Sequence, residues 1–145
     1  MAKPKPLKLK AEDAEDLKII SAALQDAIGR LGDFRYDRTE RHFTAEFNRF
    51  QWEAAEQGRK QRVRSAVRIH DVMGTKARNL KRDAAEAVVE LLAIEFEPGE
   101  APGGALRLIF SGGGEMRLEV ECIDALLADV SAPWPTRRAP EHADD

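Results

Sequence analysis

Arg62-Val63-Arg64-Ser65-Ala66-Val67-Arg68-Ile69-His70 is the stretch that decides the fold class. Val63, Val67 and Ile69 hold one parity; Arg62, Arg64, Arg68 and His70 hold the other. A period of two places successive side chains on opposite faces of a β-strand, one buried and one solvated. The run, extended to Val72, therefore reads as a strand whose cations project from a sheet.

The flanking sequence repeats the pattern. In His42–Trp52, Phe43, Ala45 and Phe47 alternate with Thr44, Glu46 and Asn48. Phe50 and Trp52 fall on the other parity, which predicts a bulge near Asn48–Arg49 or burial on both faces there. Shorter β-like runs cover Ala27–Leu31, Phe34–Tyr36 and Thr75–Leu80, and Val88–Phe96 has the length of a central strand. Leu106–Phe110 and Met116–Val120 alternate on either side of Gly112-Gly113-Gly114, which reads as a hairpin.

Two segments carry helical spacing. Leu17, Ile20 and Leu24 recur at intervals of three and four behind Asp13, a capping residue, and predict a helix over Ala11–Leu24. Ile123, Leu126, Leu127 and Val130 predict a short helix over Ile123–Val130. The expected fold is α+β: an N-terminal helix, about seven antiparallel strands in hairpins forming a curved sheet or half-barrel, and a C-terminal helix. That order is similar to pleckstrin-homology architecture, an analogy of fold that carries no function.

The organisation expected is an extended basic segment over 1–10, one α+β domain over 11–131 and a mostly disordered acidic tail over 132–145. The length of 145 residues suits one domain, and a hydrophobic fraction of 43% supplies a core. No apolar run approaches the roughly 18 residues of a membrane helix. The basic start is followed by no apolar signal region. With a single cysteine, Cys122, these features predict a reducing cytoplasm and no membrane association.

The net charge of −3 conceals an asymmetry. Arg59–Arg82 holds nine basic residues against Asp71 alone, a charge of +8, and leaves −11 for the remainder. Arginine's planar fork suits phosphate and carboxylate, so Arg62, Arg64, Arg68, His70, Lys76 and Arg78 are the candidate binding residues for an anionic ligand or partner. Two plainer readings compete. The arginines are the solvated face of an edge strand, or they pair across the sheet with Glu115, Glu119 and Glu121.

Other motifs lead to no chemistry. Gly112–Gly114 lacks the Lys-Ser/Thr and the helix of a phosphate loop. Cys122 lies between Glu121 and Asp124, which oppose a thiolate. His42, His70 and His142 are too scattered for a zinc site with Cys122. Glu119, Glu121, Asp124 and Asp129 read as solvated or arginine-paired carboxylates. No catalytic residue, metal or cofactor is expected.

Asp13–Ala27, Asn48–Glu53, Leu91–Gly99 and Leu106–Leu127 together resemble a family of small, mostly alphaproteobacterial proteins, an uncharacterised domain of unknown function. The resemblance covers about Leu7–Trp134. It implies a bacterial cytoplasmic protein and supplies no activity. The leading expectation is a non-catalytic protein-binding or adaptor domain, with a protein partner or a second copy as its target. The alternative is binding of nucleic acid or a phosphorylated ligand through the basic face. An enzyme with an unfamiliar site stands third.

Overall fold

The computed structural model describes residues 5–81, 84–137, 139 and 140. Arg82 of the basic segment, residues 1–4 of the N-terminal segment, and His142 with the rest of 141–145 lie outside them. In chain order the elements are β1 (Lys8–Ala11), α1 (Ala14–Ala23), β2 (Ile28–Arg30), β3 (Phe34–Asp37), β4 (His42–Phe50), the single-turn α2 (Trp52–Ala55), β5 (Gln61–Ile69), β6 (Val72–Arg78), β7 (Val88–Pro98), β8 (Gly104–Phe110), β9 (Glu115–Val120), β10 (Ala125–Asp129) and β11 (Trp134–Pro135). The eleven strands exceed the seven expected.

All the pairings are antiparallel, and their path runs β1-β10-β5-β4-β2-β7-β8-β9-β6, with β3 on β4 and β11 on β5. His70 and Asp71 join β5 to β6, and residues 121–124 join β9 to β10. These two bent runs pair along both halves, β5 with β10 and β6 with β9. The corner is stitched by His70 N–H to the Asp124 carbonyl (2.8 Å) and Glu121 N–H to the Asp71 carbonyl (3.1 Å). The sheet therefore curls over its own inner face. Phe43, Phe47, Val67, Leu106, Leu108, Phe110 and Leu118 fill that face, each no more than 2% exposed. Phe34 joins them, its ring 5.3 Å from Phe47 and 5.9 Å from Phe110.

The segment read as a C-terminal helix is β10. Its apolar spacing satisfies either period over so short a run. Ladders on both sides decide the outcome: Ala125–Asp129 pairs with β5 on one side and Ala125–Ala128 with β1 on the other. The helix behind the pleckstrin-homology comparison is thus absent among the described residues. Residues 8–10, from the segment read as extended, and Ala11, read as the start of the helix, form the strand that covers β10. Trp134 and Pro135, at the start of the segment read as tail, pair with Arg62 and Gln61.

Helix α1 begins where Asp13, in extended conformation, turns its carboxylate back onto the Asp16 N–H at 2.8 Å. Leu17 and Ile20 bury its inner stripe, and Ser21 Oγ accepts from the Ile94 N–H of β7 at 2.9 Å. Asp13→Ala leaves a first-turn donor without its cap. It is expected to cost about 1 kcal/mol, seen as a lower urea midpoint at unchanged slope; an unchanged midpoint would contradict this role.

Arg49 takes an inward position at the end of β4, where both faces are buried. Its guanidinium holds Asp129 of β10 by two bonds of 2.9 Å and Glu53 of α2 by bonds of 3.0 and 3.1 Å. Asp129 also accepts from Ser65 Oγ (2.6 Å) and the Leu7 N–H (2.9 Å). Burial alone would push the Asp129 carboxyl up, but these hydrogen bonds outweigh it and hold it below the ordinary carboxylate range. Burial and the Arg49 fork act on Glu53 in the same opposed way, with the same downward result.

Candidate functional site: a basic groove on the outer face

The site grows from the register of three strands. Arg35 of β3 lies opposite Thr44 of β4, and Thr44 lies opposite Arg68 of β5. In a sheet, directly opposed residues share a face about 5 Å apart. Thr44 therefore stands between two arginines, and its hydroxyl accepts from Arg68 Nε at 3.3 Å. One step along the strands, His42 and His70 set their rings 6.0 Å apart, edge to face. Arg38, in the turn after β3, completes an open groove of about 610 Å³ with Asp37 and Tyr36 on its walls.

Cations outnumber acids in this groove. Arg35, Arg38 and Arg68 make no ion pair with any described carboxylate; every described ion pair involves other cations. Asp37 is the single acid lining the groove. Three exposed arginines thus line one open groove.

The six candidates named from the sequence do not form one site. Arg62 is half-buried and donates to the Asn48 carbonyl at 3.0 Å. Burial pushes its guanidinium down, against the fields of Glu90 and Asp26. Arg64 is neutralised within the face, donating to Asp33 at 2.9 Å, with Glu46 at 3.6 Å. Arg68 and His70 lie in or beside the groove. Lys76 and Arg78 belong to β6, past the corner, in a second groove of about 650 Å³ with Arg107, Arg117, Glu97 and Glu115.

In that second groove two of the four cations are paired, while Lys76 and Arg78 take part in no described ion pair. Arg107 pairs with Glu115 and Glu95, and Arg117 with Glu97 and Glu119. Glu121 pairs with Arg41. The three glutamates considered as partners for the β5 arginines are thus engaged with other cations. Arg35, Arg38 and His42 were not candidates in the sequence, because only strand register brings them to Arg68. The visible signal was Arg35 alternating with Phe34 and Tyr36 in a run too short to anchor.

Other chemistry has little support among the described residues. No group of three or more His, Cys, Asp or Glu side chains gathers as a metal site. Burial, a 3.5 Å contact with Asp71, and the nearby Asp124 and Glu121 all push the Cys122 thiol up, away from the reactive thiolate. No described helix is long and apolar enough to cross a membrane.

No curated protein and no solved structure matches the chain. The family described as a protein of unknown function, DUF2948, matches residues 7–142. That span takes in the whole curled sheet, both arginine grooves and the Arg49 network, and the chain belongs to the DUF2948 family.

Proposed function

We propose that this protein is a non-catalytic binding domain that captures an anionic group of a partner on the outer face of β3, β4 and β5. The observation that carries the reading is the trio Arg35, Arg38 and Arg68, which face one open groove without a carboxylate partner. Solvated arginines lose little when they exchange water for a carboxylate or phosphate, and each fork offers paired donors. The acidic remainder of the chain supports selective capture of a localised anion over indiscriminate adhesion to polyanions. Nucleic acid is the weaker reading. No Phe or Trp lines the groove; its rings are those of Tyr36, tied by its hydroxyl to the Val72 carbonyl at 2.8 Å, and His42, set edge to face with His70. A cytoplasmic setting fits a lone thiol held protonated.

Calorimetric titration with inorganic polyphosphate and with a polyglutamate peptide tests the proposal. Three cationic contacts predict a loss of about 20- to 40-fold in polyphosphate affinity between about 50 and 200 mM salt. Binding that ignores salt, or no binding of either probe, would contradict it.

A further inference from the structure

The curled sheet leaves two strand edges unpaired beside the basic groove. Among the described residues, β3 pairs with β4 alone and β6 with β9 alone. An unpaired edge presents a row of backbone donors and acceptors that another chain can complete. The two edges approach one another where Tyr36 Oη donates to the carbonyl of Val72, the first residue of β6.

Between them lies an apolar cleft of about 180 Å³, walled by Leu31, Phe34, Phe43, Thr75, Leu80 and Met116. Whole small-molecule ligands occupy about 300–1,000 Å³, so this volume suits individual side chains. Tyr36 lines both the cleft and the arginine groove. The cleft and the groove thus lie on opposite faces of β3 and meet at its free edge.

We propose that an extended segment of a protein partner, alternating acidic and apolar residues, adds as a strand along the free edge of β3. The inference rests on the reading of the basic groove as an anion site and names its partner. A strand sends successive side chains to opposite faces. Its acidic set reaches Arg35, Arg38 and Arg68; its apolar set enters the cleft; its backbone completes the edge. In such recognition the main chain supplies affinity and the pockets for alternate side chains supply specificity. Charge complementarity selects this occupant. A second copy of the chain offers little to the groove, because the outward charges on β3 and β6 are Arg35, Lys76 and Arg78 against Asp37.

Synthetic peptides test this without altering the protein. Fluorescence anisotropy compares a short peptide alternating glutamate and valine with a peptide of identical composition in two blocks. It also includes two alternating peptides N-methylated on one or the other set of alternate amides. The alternating peptide should bind about tenfold tighter than the block peptide, one N-methylated peptide should lose at least that factor, and the Phe34–Asp37 amides should gain protection from hydrogen exchange. Equal binding by all four peptides, weakened throughout by Arg68→Ala, overturns strand addition and leaves the anion site standing. Polyphosphate binding with no peptide binding does the same. Absence of both overturns the anion site as well.

Discussion

Arg49→Ala is expected to remove about 3–5 kcal/mol of folding stability. Arg49 and Asp129 are 1% and 2% exposed at their side chains, so truncating one leaves the other's charge buried and uncompensated. The pair also fastens four separate stretches: β4 through Arg49, β10 through Asp129, β5 through Ser65 and the chain before β1 through the Leu7 N–H. Glu53 is different. Its side chain is 48% exposed, and Glu53→Ala should cost only about 1 kcal/mol or less. Urea denaturation of the two variants gives the comparison. Equal losses would mean that the network is held by its exposed limb.

The same network sets the response to acid. The Asp129 and Glu53 carboxyls are held below their ordinary range in the folded protein. Their contribution is therefore full above the unfolded-state carboxylate range and is lost as pH falls through the lowered folded values. Wild-type stability should fall along that descent. Arg49→Ala, lacking the cation that lowers both groups, should show a shallower slope; parallel curves would place the acid sensitivity elsewhere.

The second large effect is on binding. Replacing Arg35, Arg38 and Arg68 together by alanine should weaken polyglutamate or polyphosphate binding about a hundredfold, taking about 1 kcal/mol for each exposed charge-assisted contact. Stability should change by less than about 0.5 kcal/mol, because none of the three holds a carboxylate in the free protein. Lys76→Ala with Arg78→Ala is the control for location, since those cations also lack a described ion pair but sit past the corner, in the groove around Arg107 and Arg117. A greater loss from the control pair would move the site past the corner of the sheet.

What the sequence disclosed followed from periodicity, and what it concealed followed from register. Alternation in Arg62–His70 and in Phe43–Phe47 marked β5 and β4, because a half-buried strand writes its two faces into odd and even positions. Gly112 and Gly113 take positive φ values of 87° and 91°, the turn that their position between two alternating runs implied. Ala125–Asp129 misled because its apolar residues fit a helix as well as a strand. Only its place between β1 and β5 resolves it. Arg49 was invisible as a core residue because nothing local announces that an arginine's partner lies 80 positions away. Arg35 and Arg68 share a face for a similar reason: each lies opposite the same residue, Thr44, across a strand boundary. The binding residues named from charge run alone therefore included Arg62 and Arg64, whose guanidiniums are held by Asn48 and Asp33.

The most direct test follows the arginine side-chain Nε–Hε signals of isotope-labelled protein as polyglutamate is added. The signals of Arg35, Arg38 and Arg68 should move together and saturate with one affinity, while those of Arg49, Arg64 and Arg117 stay in place. Movement confined to Arg78, Arg107 and Arg117, or no movement at saturating peptide, would contradict an anion site on the β3–β4–β5 face.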